Sequence, residues 1–100
     1  MVSGHVHETG LVEKVVSGDE YILNISFSKN LSKYLFKKGY VAINGASLTI
    51  KDKEESYLTV ALIPETLQAT NLNNLAKGDK VNLEADQQIV ATVDSTSNKN

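Results

Sequence analysis

Lys38-Gly39-Tyr40-Val41-Ala42-Ile43-Asn44-Gly45-Ala46-Ser47-Leu48-Thr49-Ile50 is the stretch on which the reading of the fold turns. It reads as strand, tight turn, strand. Tyr40 to Ile43 is short, apolar and β-favouring. Asn44-Gly45 is a strong hairpin signal, because both residues tolerate the positive φ that a type I′ turn demands. Ser47 to Ile50 then alternates polar and apolar. The alternation predicts that Leu48 and Ile50 face a core and that Ser47 and Thr49 face the other side. Two hydroxyls spaced in this way on one strand face can hold a polar ligand.

The remaining sequence supplies partners for that hairpin. Glu20 to Phe27 alternates, with Tyr21, Leu23, Ile25 and Phe27 on one face, and predicts a half-buried strand. Tyr57 to Ile63 does the same, with Leu58, Val60 and Leu62 opposite Tyr57, Thr59 and Ala61. Further strands are expected over Gly10 to Val16, with Leu11 and Val15 as its apolar residues, and over Lys80 to Asp86, continued by Ile89 to Val93. Lys51 to Ser56 is charged and reads as a turn. Ser28 is placed to cap a helix reaching Phe36, with Leu31, Tyr34 and Leu35 on one face and Gly39 just past its end. Pro64 ends a strand and suits the first position of a helical turn through Gln68. About six short strands, with turn signals roughly every ten residues, point to a small antiparallel barrel or sandwich.

One hundred residues make one domain, and 41% hydrophobic with 22% charged is ordinary globular composition. The barrel is assigned to residues 1–93 and a polar, disordered tail to 94–100. A net charge of -2 gives no electrostatic support for nucleic acid or an anionic membrane surface. There is no cysteine, hence no disulfide and no thiolate. No apolar run approaches the roughly 18 residues of a membrane span, and Met1 to His5 lacks the pattern of a secretory signal. A cytoplasmic location is expected.

In order along the chain stand Ser3-Gly4-His5-Val6, Lys38-Gly39, Asn44-Gly45-Ala46-Ser47-Leu48-Thr49, Leu62-Ile63-Pro64-Glu65-Thr66-Leu67, Thr70 and Gly78-Asp79-Lys80-Val81-Asn82-Leu83-Glu84. Together they resemble one half of the riboflavin synthases, and also the related lumazine-binding antenna proteins. The family fold is a six-stranded Greek-key barrel, two in tandem, each holding one 6,7-dimethyl-8-ribityllumazine. The Ser-Gly-His opening resembles the C-terminal barrel, so an excised or naturally separate C-terminal barrel is expected. The implied parent reaction is a dismutation: one lumazine gives a four-carbon unit to another, yielding riboflavin and a pyrimidinedione. The resemblance implies no cofactor or metal beside the ligand, which is the lumazine or riboflavin. It implies pairing of barrels, as a homodimer here or within the homotrimer of two-barrel chains.

The resemblance also assigns candidate residues. His5 is the catalytic candidate, since an imidazole can move protons near neutrality. Gly4, His5 and Val6 would lie beside the ligand. Ser47 and Thr49, with the backbone of Leu48, would hold the polar edge of the ring or its ribityl chain. Leu62, Ile63, Pro64, Glu65, Thr66 and Leu67 would wrap the ring, largely with backbone groups, and Lys38 would lie near the ribityl chain. His7 reads as an ordinary surface histidine. A non-catalytic carrier or antenna is the alternative reading. A flavin-reductase-type barrel is disfavoured, because the chain has no arginine for the usual flavin-phosphate motif.

Overall fold

The computed structural model describes residues 7–97, and for residues 67–69, 73, 96 and 97 the backbone alone. Six antiparallel strands close into a barrel: β1 (His7–Ser17), β2 (Tyr21–Ser26), β3 (Tyr40–Ile43), β4 (Ala46–Lys53), β5 (Tyr57–Leu62) and β6 (Lys80–Ala85), ordered β1-β2-β5-β4-β3-β6. This is the Greek-key barrel expected from the sequence. Three helices complete it: α1 (Lys29–Ser32), α2 (Pro64–Ala69) and α3 (Gln87–Ser97). A 3₁₀ turn spans Leu72–Asn74.

The hairpin forms as read. Asn44 and Gly45 both take positive φ, 50° and 86°. The turn is then tied across the barrel: Asn44 N–H donates to Asn82 C=O at 2.8 Å, and Asn82 N–H donates to Asn44 Oδ1 at 2.8 Å. Asn44 thus serves both the turn and the junction with β6.

Alternation places one face of each strand inside. Leu23 and Ile25 of β2, Ile43 of β3, Ile50 of β4, Leu58 and Val60 of β5 and Leu83 of β6 are all fully buried. At about 25 cal/mol per Å² of apolar surface, each such side chain contributes roughly 1.5–3 kcal/mol by leaving water.

The structure corrects five sequence expectations. A bulge between Val12 and Lys14 resets the face of β1, so Val12 is fully buried and Leu11 points outward. A second bulge, between Ile50 and Asp52, lets β4 run on to Lys53 through the stretch read as a turn. The Ser28 hydroxyl donates to the Glu8 carboxylate and leaves its helix uncapped, and α1 is a single turn. Left-handed φ falls on Lys38, at 71°, instead of on Gly39. Finally, Ile89 to Val93 is helix, and the helix continues through 94–97, which were assigned to a disordered tail; residues 98–100 lie outside the described residues.

The missed helix has a cap that the sequence carried. Gln88 N–H donates to Asp86 Oδ1 at 2.9 Å. Val90 is fully buried, and Tyr34 Oη donates to Asp94 Oδ1 at 2.6 Å, joining α3 to the segment after α1. The bond to Asp94, then burial, raises the Tyr34 phenol above its ordinary value of 10.0. A raised acid loses stability upward in pH. Below about pH 10 the phenol is protonated in both folded and unfolded chains and the contribution is complete; above it the unfolded chain ionises first and stability falls through the folded-state value. Thermal melts across pH 9 to 11 should show a steeper fall for the wild type than for Tyr34→Phe. Parallel slopes would show that the phenol does not anchor α3.

Candidate functional site

The outer surface of β3, β4 and β6 gathers the polar residues of interest. Ser47 and Thr49 are exposed on β4, while Leu48 and Ile50 between them are buried. In register, Ser47 lies opposite Ala42 and Thr49 opposite Tyr40. Ala42 is in turn opposite Glu84 of β6. The pairing therefore lays Thr49 and Tyr40 side by side, and below them Ser47, Ala42 and Glu84.

A cleft of about 440 Å³ opens on this face, lined by Tyr40, Ala42, Ser47, Glu84, Asp86 and Gln87 among others. Its volume is in the range of small-molecule sites, about 300–1,000 Å³. Ser47 thus shares one recess with the carboxylate of Asp86. A smaller recess of about 240 Å³ adjoins it through Ala42 and Glu84 and reaches His7 and Gly45. His7 pairs with Glu84 across the β1–β6 ladder.

On the other flank of β4 the pairing with β5 covers only part of both strands. The recorded β4–β5 ladder runs from Lys53↔Leu58 to Ile50↔Val60 and stops, although β4 runs back to Ala46 and β5 runs on to Leu62. In the seam past Ile50↔Val60 no register pair joins β4 to β5 among the described residues. The seam is bordered by Ser47 and Thr49 on one side and by the exit of β5 into α2 on the other. There Ile63 is 54% exposed and extended, Pro64 opens the helix, and Glu65 is exposed in its first turn. At its end a cleft of about 460 Å³ opens between the hairpin turn, Asn44 to Ala46, and Thr70, Asn71 and Leu72. Thr70 Oγ1 donates to Thr66 C=O at 2.9 Å and accepts from Leu72 N–H at 3.4 Å, which holds the chain leaving α2 against the cleft.

Ser47 and Thr49 thus lie on β4 past the end of the β4–β5 ladder, and Ile63, Pro64, Glu65 and Thr66 follow the end of β5. Leu48 and Leu62 are 8% and 1% exposed and point into the core, so only their backbone could meet a ligand. Lys38 is exposed at the entry to β3, where its N–H donates to Ile50 C=O at 2.8 Å. Leu67 lies in α2. Gly4, His5 and Val6 fall outside the described residues. Sequence reasoning did not single out Tyr40, which the hairpin register sets opposite Thr49, or Glu84 and Asp86, which the β3–β6 pairing brings to the same face. Among the described residues, no three His, Cys, Asp or Glu side chains group as a metal cradle, and no helix is long and apolar enough to cross a membrane.

Fold and surface define a small closed antiparallel barrel with a cleft on the outer face of β3, β4 and β6 and a β4–β5 ladder that ends early. The lumazine binding domain family matches residues 3–86, and the chain belongs to that family. Its relatives include the riboflavin synthase of Chlamydia pneumoniae, 40% identical over 95 residues (95% of this chain, 46% of the relative). The riboflavin synthase of Escherichia coli (strain K12) is 36% identical over 98 residues (95% and 46%). The chain thus spans about half the length of these curated relatives. Similar solved structures include LumP complexed with riboflavin, at a TM-score of 0.74 and 25% identity over 80% of this chain and 44% of that one. LumP complexed with 6,7-dimethyl-8-(1'-D-ribityl) lumazine gives a TM-score of 0.72 at 25% identity, over 78% and 44%.

Proposed function

We propose that this barrel is a riboflavin synthase domain that binds 6,7-dimethyl-8-ribityllumazine or riboflavin, one per chain, at the β4–β5 seam. The observation that carries this is the early end of the β4–β5 ladder beside Ser47 and Thr49. A pterin-like ring has alternating donors and acceptors along one edge, and an interrupted strand pair offers the same alternation of N–H and C=O groups. The hydroxyls of Ser47 and Thr49 supply the side-chain contacts. Ile63 and Pro64 supply apolar surface, with Glu65 and Thr66 beside them. The relatives' shared name and the ligands of LumP support the same reading.

The parent reaction joins two such lumazines, with transfer of a four-carbon unit from one to the other. The barrel contributes mainly by holding a ring in a fixed orientation. Ser47 and Asp86, lining one cleft, place a hydroxyl and a carboxylate where a proton can be accepted and returned. His5 is a further candidate for proton transfer. A second barrel would bring the second ring, and exposed apolar residues such as Phe36, Tyr57 and Ile63 give such a partner a surface to cover.

Thr49→Val tests the seam. Its side chain is exposed, so the fold is unaffected, while a lost hydrogen bond to bound ligand costs about 1–2 kcal/mol, or roughly five- to thirtyfold in Kd. Fluorescence titration with riboflavin reads the difference. An unchanged Kd would return Thr49 to the solvent-facing side of an ordinary strand.

A further inference from the structure

Tyr40 is the most exposed large apolar residue among those described, at 55%. It sits in the middle of the polar face, where an aromatic ring has no core to pack against. The ladder places it opposite Thr49. It lines the same cleft as Ser47 and Asp86. Next to it, Lys38 holds a left-handed backbone, uncommon for a lysine, and its N–H donates to Ile50 C=O, closing the base of the hairpin under Tyr40. The ring therefore rises from a fixed piece of backbone at the edge of the hydroxyl pair.

Resting on the reading above, we propose that Tyr40 is a positioning residue that stacks on the planar ring of the bound ligand. Ser47 and Thr49 are short side chains that can grip a polar edge but offer no flat surface. Their neighbours across β3 are Ala42, which is small, and Tyr40, which has a face the size of one ligand ring. An aromatic face at this position fixes the tilt of a heterocycle whose edge is held at β4. Stacking of a nucleobase on an aromatic side chain is worth about five- to a hundredfold in affinity, and a partly solvated edge position belongs near the lower end. A tyrosine in contact with an excited flavin also quenches its emission, which a purely structural role would not do.

The test titrates riboflavin and, separately, lumichrome, which has the ring without the ribityl chain, against wild type, Tyr40→Leu, Tyr40→Phe and Thr49→Val. Far-UV circular dichroism and thermal melts confirm that each variant is folded. Tyr40→Leu should raise Kd about tenfold for both ligands and abolish most of the quenching. Tyr40→Phe should keep Kd within about twofold but quench less, because phenylalanine is the poorer electron donor. If Thr49→Val weakens binding while Tyr40→Leu leaves Kd and quenching unchanged, the site stands and the stacking role is overturned. If the wild type binds neither ligand, the site and the stacking role both fall.

Discussion

Incubated alone with 6,7-dimethyl-8-ribityllumazine, this barrel should form riboflavin at least about a hundredfold more slowly than a relative of about twice its length, such as the riboflavin synthase of Escherichia coli. The reaction needs two rings face to face, one as donor and one as acceptor, in a chemically asymmetric site. One barrel presents a single seam between β4 and β5 and a single copy of the Ser47–Asp86 cleft. Two copies in a homodimer would present identical pockets at a spacing set by their own interface. A displacement of about 1 Å from the productive geometry already costs around a hundredfold. Absorbance at the riboflavin band measures the rate, and light scattering on the same sample shows whether it is the expected dimer. Turnover within tenfold of that longer control would show that one kind of barrel suffices.

Gly10→Ala should lower the melting temperature by about 10 °C. Gly10 lies on β1 opposite Val81, with its α-hydrogens against the core. A Cβ there would sit 2.5 Å from Leu83 Cδ1, 2.9 Å from Ile25 Cγ2 and 2.9 Å from the Ser26 carbonyl oxygen. Leu83 and Ile25 are fully buried and have little room to turn, and the Ser26 carbonyl belongs to the neighbouring strand. Overpacking of this kind costs about 1–3 kcal/mol, and each kcal/mol moves the midpoint of a domain this size by roughly 4–8 °C. A midpoint within about 2 °C of wild type would mean that β1 can shift away from the core at no cost.

The parts of the fold legible in the sequence were those set by local chemistry. Asn44-Gly45 demanded a turn with two positive φ values, and it has them. Alternation in Tyr21 to Phe27, with Ile22 as its one exception, and in Tyr57 to Leu62 marked the inward faces of β2 and β5 correctly. What alternation cannot show is a bulge. Leu11 and Val15 read as the apolar residues of β1, and nothing in Leu11-Val12-Glu13-Lys14 signals the extra residue that puts Val12 inside and Leu11 outside. Ile89 to Val93 has an apolar pattern that suits strand or helix, and the deciding signal, Asp86 as a cap, is a single side chain.

The surface around the candidate site was legible only in part. Ser47 and Thr49 could be placed on one face from their spacing. Tyr40 follows from the hairpin register, which sets it opposite Thr49, but Glu84 and Asp86 could not be placed, because they join the face through pairing between β3 and β6, which are distant in sequence. The seam was hidden for a different reason. It consists of strand pairing that stops early, and residues that could pair but do not carry no local mark. The resemblance to riboflavin synthases supplied Leu62 to Leu67 as candidates; Leu62 ends β5 and is buried, and Ile63 to Leu67 follow it into α2.

Backbone amide NMR shifts followed through a riboflavin titration test the central claim most directly. Binding at the seam predicts saturation at one ligand per chain, with the largest changes at Ser47, Leu48, Thr49, Ala61, Ile63, Glu65 and Thr66. The far wall of the barrel, at Leu11 and Glu13 of β1 and Lys80 of β6, should stay unchanged. Saturable shifts confined to that far wall, or none at millimolar riboflavin, would contradict it.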